Sequence, residues 1–231
     1  VVKIKKEAVL IKPSDVKPSS KDFEVIGTIN PAAIRVPNGD IILYVRVIEK
    51  LVDFDNENNL YSPRMIGEKN FKLKKDVFRK NQVDDFSELD FNFKDGTKRL
   101  TFISHFRIVI LDKTGMKVKW GHKSPSFYGL SWDGELGVED PRIVKVGDTY
   151  IMTYVTLSRE MNVSTSLAVS NDFKTWYRRG IIFAEQNKDV VIFPEILNNR
   201  YLALNRPEGN FQFSSPDIVL SLSKDLHSWG W

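Results

Sequence analysis

At 231 residues, 42% hydrophobic and 28% charged, the chain has an ordinary globular composition and is long enough for one large all-β domain or two smaller ones. A formal charge of +4 and a pI of about 9.1 suit an anionic ligand but are too small to argue for nucleic acid; the basic run 69–80 is answered by Asp84, Asp85, Glu88 and Asp90. The absence of cysteine excludes disulfides and thiolate metal sites, and no apolar run approaches the ~20 residues of a membrane-spanning helix.

Val1-Val2-Lys3-Ile4-Lys5-Lys6 has no signal-peptide pattern, so a cytoplasmic protein is expected; the first residue is not Met, which leaves a removed leader open. Residues 1–29 are mixed, with Pro13, Pro18 and Ser19-Ser20 marking loops. The turn Pro37-Asn38-Gly39 leads into a β-branched strand over 40–47. Residues 49–98 are polar with weak periodicity and are read as a loop-rich insertion on a single domain spanning 1–231. A strand pair is expected over Arg99 to Leu111, followed by the turn Lys113-Thr114-Gly115. No stretch carries a convincing helical apolar stripe, so the chain is expected to be all-β.

The stretch Glu135 to Arg142 places Glu135, Glu139, Asp140 and Arg142 within eight residues, directly before the apolar runs Ile143-Val144 and Tyr150 to Val155. Charge beside a buried strand is expensive unless it serves a site. Pro141 opens a unit that reads proline, polar turn, aromatic, strand. Pro31 opens a similar one, with Tyr44 and Tyr154 each 13 residues beyond their prolines. Ser170-x-Asp172-x-x-x-Trp176 matches Ser223-x-Asp225-x-x-x-Trp229 at an offset of 53, and Pro141 to Pro194 is also 53. Ser and Asp would satisfy the N–H groups of a turn while Trp packs on the sheet. A period near 50 with about four short strands per unit indicates a β-propeller rather than a β-sandwich. Units are expected to start near 31, 86, 141 and 194, which gives about four blades, with the C-terminal part of the ring outside this sequence.

With these residues assembled, the chain resembles glycoside hydrolase family 130, the mannoside phosphorylases and β-mannosidases. The matching stretches are Asn30-Pro31-Ala32, Leu43-Tyr44-Val45-Arg46, Glu135 to Ile143, Tyr150 to Tyr154, Asn187 to Glu195, Asn205-Arg206-Pro207 and Asp225-Leu226-x-x-Trp229. The resemblance implies a five-bladed propeller that acts as an inverting β-mannoside phosphorylase. Phosphate would cleave a β-mannoside oligosaccharide to mannose 1-phosphate, with no cofactor beyond inorganic phosphate as co-substrate. It implies that Asp140 is the catalytic acid, that Lys188 and Arg206 bind phosphate, and that Asn30, Arg46, Arg142 and Tyr154 line the sugar site. Tyr154 reads equally well as a core ring. Burial beside Glu139 would raise the pKa of Asp140, and Arg142 would oppose that.

Phosphorolysis needs a basic cradle rather than a second carboxylate, because the anion is itself the nucleophile. A β-mannosidase on the same scaffold would instead need a base, for which Glu195 and Glu208 are the candidates. A non-catalytic glycan-binding propeller and a furanosidase-like enzyme are weaker alternatives. His105, His122 and His227 share no ligand spacing, so no metal is expected; His105 is a candidate to reach the pocket and His227 should be exposed. A homo-oligomer, the linkage and the acceptor sugar are left open, and neither nucleic acid nor membrane is expected as a partner.

Overall fold

The computed structural model describes residues 3–208 and 217–230. The chain divides into two compact units, Val1–Arg64 with Leu73–Tyr128 and Met65–Lys72 with Gly129–Trp231. The described residues are almost entirely strand and turn, with two short 3-10 turns, Pro13–Asp15 and Lys80–Gln82, as the only helical elements among them. The expected all-β class therefore holds.

In the first unit the chain order is β1 (Phe23–Arg35), β2 (Ile41–Leu51), β3 (Asn59–Met65), β4 (Leu73–Arg79), β5 (Val83–Phe86), β6 (Asp90–Phe93), β7 (Lys98–Leu100), β8 (Phe102–Leu111) and β9 (Val118–Gly121). A four-stranded antiparallel sheet has the order β1-β2-β8-β9. β2 and β8 lie at its centre, and Leu43 to Val47 are buried in succession, as expected of a strand covered on both faces. Leu43, Val45, Val47, Val109 and Leu111 form a core over which Leu10, Ile11 and Val16 of the N-terminal segment pack.

Between β2 and β8 the chain does not run as long loops. β3 pairs with β4, and β5, β6 and β7 form a three-stranded sheet. Phe78, Phe91 and Phe93 meet edge-on or tilted at 5.1 to 5.6 Å between ring centroids and close a small core with Leu60 and Val83. The strands are only three to seven residues long and largely polar on their exposed faces, which is why their alternation is faint in the sequence. The unit expected to start near residue 86 is corrected accordingly. Residues 23–121 contain one four-stranded sheet with an insertion, not two, so the 110-residue gap from Pro31 to Pro141 is not two periods.

The second unit contains β10 (Gly137–Val146), β11 (Thr149–Ser158), β12 (Asn162–Ser170), β13 (Tyr177–Phe183), β14 (Asn187–Ile192), β15 (Tyr201–Pro207) and β16 (Val219–Ser223). The first four make an antiparallel meander, and the last three make a second sheet. Ile151, Leu167 and Ile182 of the meander share a core with Val190, Ile192 and Ala203 of the second sheet. A sheet of this width cannot bury both faces alone, so the sharing supplies the missing cover. Gly129 has no room for a side chain: a Cβ there would lie 1.8 Å from the carbonyl oxygen of Gly134.

The Ser-x-Asp-x-x-x-Trp signature forms the same turn twice. Ser170 Oγ accepts from the N–H groups of Asp172 and Phe173, and Asp172 Oδ1 from those of Lys174 and Thr175. Ser223 and Asp225 reproduce all four bonds on Asp225, Leu226, His227 and Ser228, each within 0.1 Å of its counterpart. Those backbone donors hold the Asp225 carboxyl down at about 2. Trp229 stacks at a tilt against Phe183, 5.6 Å between centroids. His227 is exposed, as expected.

Candidate active site

The site grows out of a backbone irregularity. In β10 the antiparallel ladder breaks between the rungs Glu139↔Val155 and Arg142↔Thr153, so Asp140 and Pro141 stand opposite Tyr154 alone. This is a β-bulge, and Asp140 takes φ +49 to form it. A left-handed residue is unusual outside Gly, Asn and Asp, and the residue before a proline is further restricted. Strain of this kind persists where the surrounding structure over-determines it, often at sites. Asp140 thus lies inside the strand, not ahead of it.

The bulge recurs. In β14 the ladder breaks between Lys188↔Arg206 and Val191↔Leu204, with Asp189 at φ +59. In β1 it breaks between Ile29↔Arg46 and Ala32↔Tyr44, with Asn30 at φ +44. Asn30, Asp140 and Asp189 are therefore the equivalent residues of three sheets. This corrects the proline-based alignment: Pro194 follows the end of β14, and the counterpart of Pro141 is Val190, 49 residues on. It also shifts Tyr44 by one rung relative to Tyr154. Tyr44 pairs with Ala32, the counterpart of Arg142, whose partner is Thr153. The turn after β1, bridged by Val36 and Asp40, is one residue longer than the Gly147-Asp148 turn after β10.

Around the two bulges of the second unit, charges alternate. Arg142 Nη2 lies 3.6 Å from Asp189 Oδ1, and Arg206 Nη2 lies 2.8 Å from Asp189 Oδ2. The same Arg206 nitrogen is 2.7 Å from Glu208 Oε1, and Lys188 Nζ is 3.3 Å from Glu208 Oε2. Lys188 and Arg206 are direct cross-strand partners. Three cations are thus gathered by two carboxylates, with Arg142 two residues along the same strand from Asp140. All five side chains are partly open to solvent, between 32% and 42% exposed, so an ion from solution can reach them. Arg206 Nε, a buried atom, has no hydrogen-bond partner among the described residues.

Other expected residues have different surroundings. Tyr154 is 1% exposed; its hydroxyl donates to Asp133 Oδ2 at 2.8 Å, and burial pushes its pKa well above the usual phenol value. Asp133 also accepts from Arg178 and from Ser166. Tyr154 is therefore an interior residue held in a polar network, and the expectation that it lines an open sugar pocket is corrected. Glu135 is also enclosed, accepting from the backbone N–H and Nε of Arg159, both at 3.0 Å. Glu195 is exposed beyond the far end of β14, away from the bulge, which leaves it no part in this cluster.

In the first unit, Asn30 is exposed in its bulge and Arg46, 8% exposed, donates from Nε to Ser104 Oγ at 3.2 Å. His105 does not reach a pocket. It is fully buried 3.0 Å from Glu49 Oε1, and burial lowers its pKa. Glu49, itself at 0% exposure, accepts from Arg107 Nη2 at 2.7 Å and from the N–H of Ser19, and its carboxyl is held at about 2. Burial opposes that ionisation; the bonds from His105 and Ser19 outweigh it. A cavity of about 540 Å³ in the second unit, lined by Gly147, Ser170, Tyr177, Tyr201 and His227, lies at the opposite ends of the strands from the bulges.

Sequence reasoning missed Asp189 as a site residue because no proline follows it; a bulge is a torsional feature with no compositional mark of its own. The motif Asn187-Lys188-Asp189, beside the later Asn205-Arg206, was the available signal.

Comparison with known proteins identifies the family. A family model described as beta-1,4-mannooligosaccharide phosphorylase, for glycoside hydrolase family 130, matches residues 98–231. The chain is 34% identical to a beta-1,2-mannobiose phosphorylase of Listeria innocua over 96% of its own length and 62% of the relative's. It is 37% identical to a 1,2-beta-oligomannan phosphorylase of Thermoanaerobacter sp. over 40% of its length and 30% of the relative's. The solved Listeria innocua enzyme, in complex with beta-1,2-mannobiose, superposes with a TM-score of 0.82 over 96% of this chain and 62% of that one. A family 117 glycoside hydrolase from Zobellia galactanivorans, 12% identical, shares the fold with a TM-score of 0.52 over 98% of this chain and 50% of that one. The chain thus spans less than two thirds of the length of these relatives.

Proposed function

Because the chain belongs to glycoside hydrolase family 130, we propose that the protein it comes from is an inverting phosphorylase of β-1,2-linked mannosides. In this reading the carboxyl of Asp140 gives its proton, through a sugar hydroxyl, to the glycosidic oxygen as the bond to the anomeric carbon breaks. A phosphate oxygen forms the new bond at that carbon from the opposite face. The products are α-mannose 1-phosphate and an oligosaccharide shorter by one mannose. Lys188 and Arg206 hold the phosphate, aided by Arg142, and neutralise its charge as it attacks. Asn30 and Arg46 belong to the sugar site in the whole protein, whose sheets are taken as blades of a propeller.

The observation that carries the reading is the clustering, through Asp189 and Glu208, of Lys188 and Arg206 on the β14–β15 pair with Arg142, two residues from the bulge of Asp140 on β10. A hydrolase has no use for three converging cations. It would need a carboxylate poised over water, and Glu208 is instead paired to two cations. The β-1,2 linkage is supported by the identity along nearly the whole chain to an enzyme named for that disaccharide. Supplying phosphate with β-1,2- and β-1,4-mannobiose in parallel tests it: mannose 1-phosphate should form faster from the β-1,2 isomer. Faster release from the β-1,4 isomer would reject the linkage and leave phosphorolysis standing.

A further inference from the structure

We propose that Glu208 is an internal competitor for the phosphate seat, a specificity-determining carboxylate that the incoming oxyanion must displace from Lys188 and Arg206. The inference rests on the phosphorylase reading for its ligand but on geometry for its mechanism. Glu208 spreads its two oxygens over the two cations, Oε1 to Arg206 Nη2 at 2.7 Å and Oε2 to Lys188 Nζ at 3.3 Å. Those cations are cross-strand partners, so a single two-oxygen anion spans the rung as a phosphate would.

Three further features favour exchange over a permanent pair. The backbone of Glu208 is fixed independently, its N–H donating to Gln186 O at 2.7 Å, so the side chain can leave without the strand moving. The side chain is 36% exposed and has water to swing into. Arg206 is also held by Asp189 at 2.8 Å, so the guanidinium stays when Glu208 leaves, and its Nε has no hydrogen-bond partner among the described residues. Phosphate brings about two negative charges and more oxygens than a carboxylate. Three cations against Asp189 and Glu208 leave one positive charge; with Glu208 swung out, two remain to face the dianion. An enzyme so built binds phosphate only when it is abundant, because the competent state is the fraction with Glu208 displaced.

The test is isothermal titration of the full-length protein and its Glu208→Gln and Glu208→Ala variants with inorganic phosphate and with sulfate, beside steady-state kinetics. Partly exposed ion pairs of this kind are weak singly, so the expected gain is about 3- to 30-fold tighter phosphate binding in both variants. The KM for phosphate should fall by the same factor while the KM for mannoside stays unchanged. Sulfate should follow phosphate, and the gain should shrink as salt rises. Equal or weaker phosphate binding by both variants would overturn the inference alone, since a wild type that binds phosphate keeps the phosphorylase reading. If no form binds either anion, both readings fall. If anion binding tightens as expected but no mannose 1-phosphate forms, the competition stands and the phosphorylase reading fails.

Discussion

Asp140 combines a torsion and a proton, and substitution separates the two. Its φ of +49 ahead of Pro141 is tolerated because Asp, like Asn, can sit in the left-handed region. Asp140→Asn keeps shape and torsional tolerance while removing the acid. Stability should change by about 0.5 kcal/mol or less, whereas kcat should fall about 10²- to 10⁴-fold. Asp140→Ala removes the acid and also places a strained residue in the bulge, adding about 1–2 kcal/mol of destabilisation. At about 2–4 °C per kcal/mol for a protein of this size, its Tm should drop by several degrees. Asp140→Gly should regain most of that Tm with no return of activity. Thermal unfolding and mannose 1-phosphate release, measured on all three, decide it. Activity within tenfold of wild type in the Asn variant would refute Asp140 as the acid. An equal Tm loss in the Asn and Ala variants would refute the torsional explanation.

Other outcomes follow from the same geometry. Arg206→Lys keeps the charge but loses the planar guanidinium whose Nη2 serves both Asp189 and Glu208; the KM for phosphate should rise about 10- to 100-fold with the mannoside KM unmoved, as initial-rate kinetics will show. Tyr154→Phe should destabilise by about 1–2 kcal/mol, through the bond lost at Asp133, without changing the mannoside KM; a large rise in that KM at unchanged Tm would return Tyr154 to the sugar site. Glu49→Gln strands Arg107 in the interior and should lower stability by about 3–5 kcal/mol in urea unfolding at pH 7. Glu49 also sets a pH dependence. Its carboxyl, at about 2 against an ordinary 4.5, contributes stability that is complete above 4.5 and lost as pH falls toward 2. His105, held neutral by burial, adds a loss in the same direction as pH falls through 6.5, because only the unfolded chain takes up that proton.

Much of the scaffold was legible because it is written in side chains. The two Ser-x-Asp-x-x-x-Trp turns are visible in sequence because Ser and Asp make the turn's own bonds, and each repeats the same four. The apolar run from Tyr150 to Val155 announced a central strand because both its faces are covered. What the sequence hid depends on backbone and partners. Prolines mark two bulges, so Pro194 drew the third alignment away from Asp189, which has Val190 after it. One extra residue in a turn put Tyr44 and Tyr154 on different rungs. The strands between β2 and β8 are short and mostly polar, so the insertion over 49–98 read as loops and a repeat unit was placed near residue 86 within it. Lys188 and Arg206 were legible as cations, but their capture by Asp189 and Glu208 was not, because ion pairing needs the register of β14 on β15.

Phosphorus NMR of the full-length protein with β-1,2-mannobiose and inorganic phosphate addresses the chemistry most directly. The inorganic phosphate signal should convert into α-mannose 1-phosphate, one for each free mannose released, with no turnover when phosphate is withheld. Release of two free mannose molecules at a rate indifferent to phosphate, with the phosphorus spectrum unchanged, would contradict it.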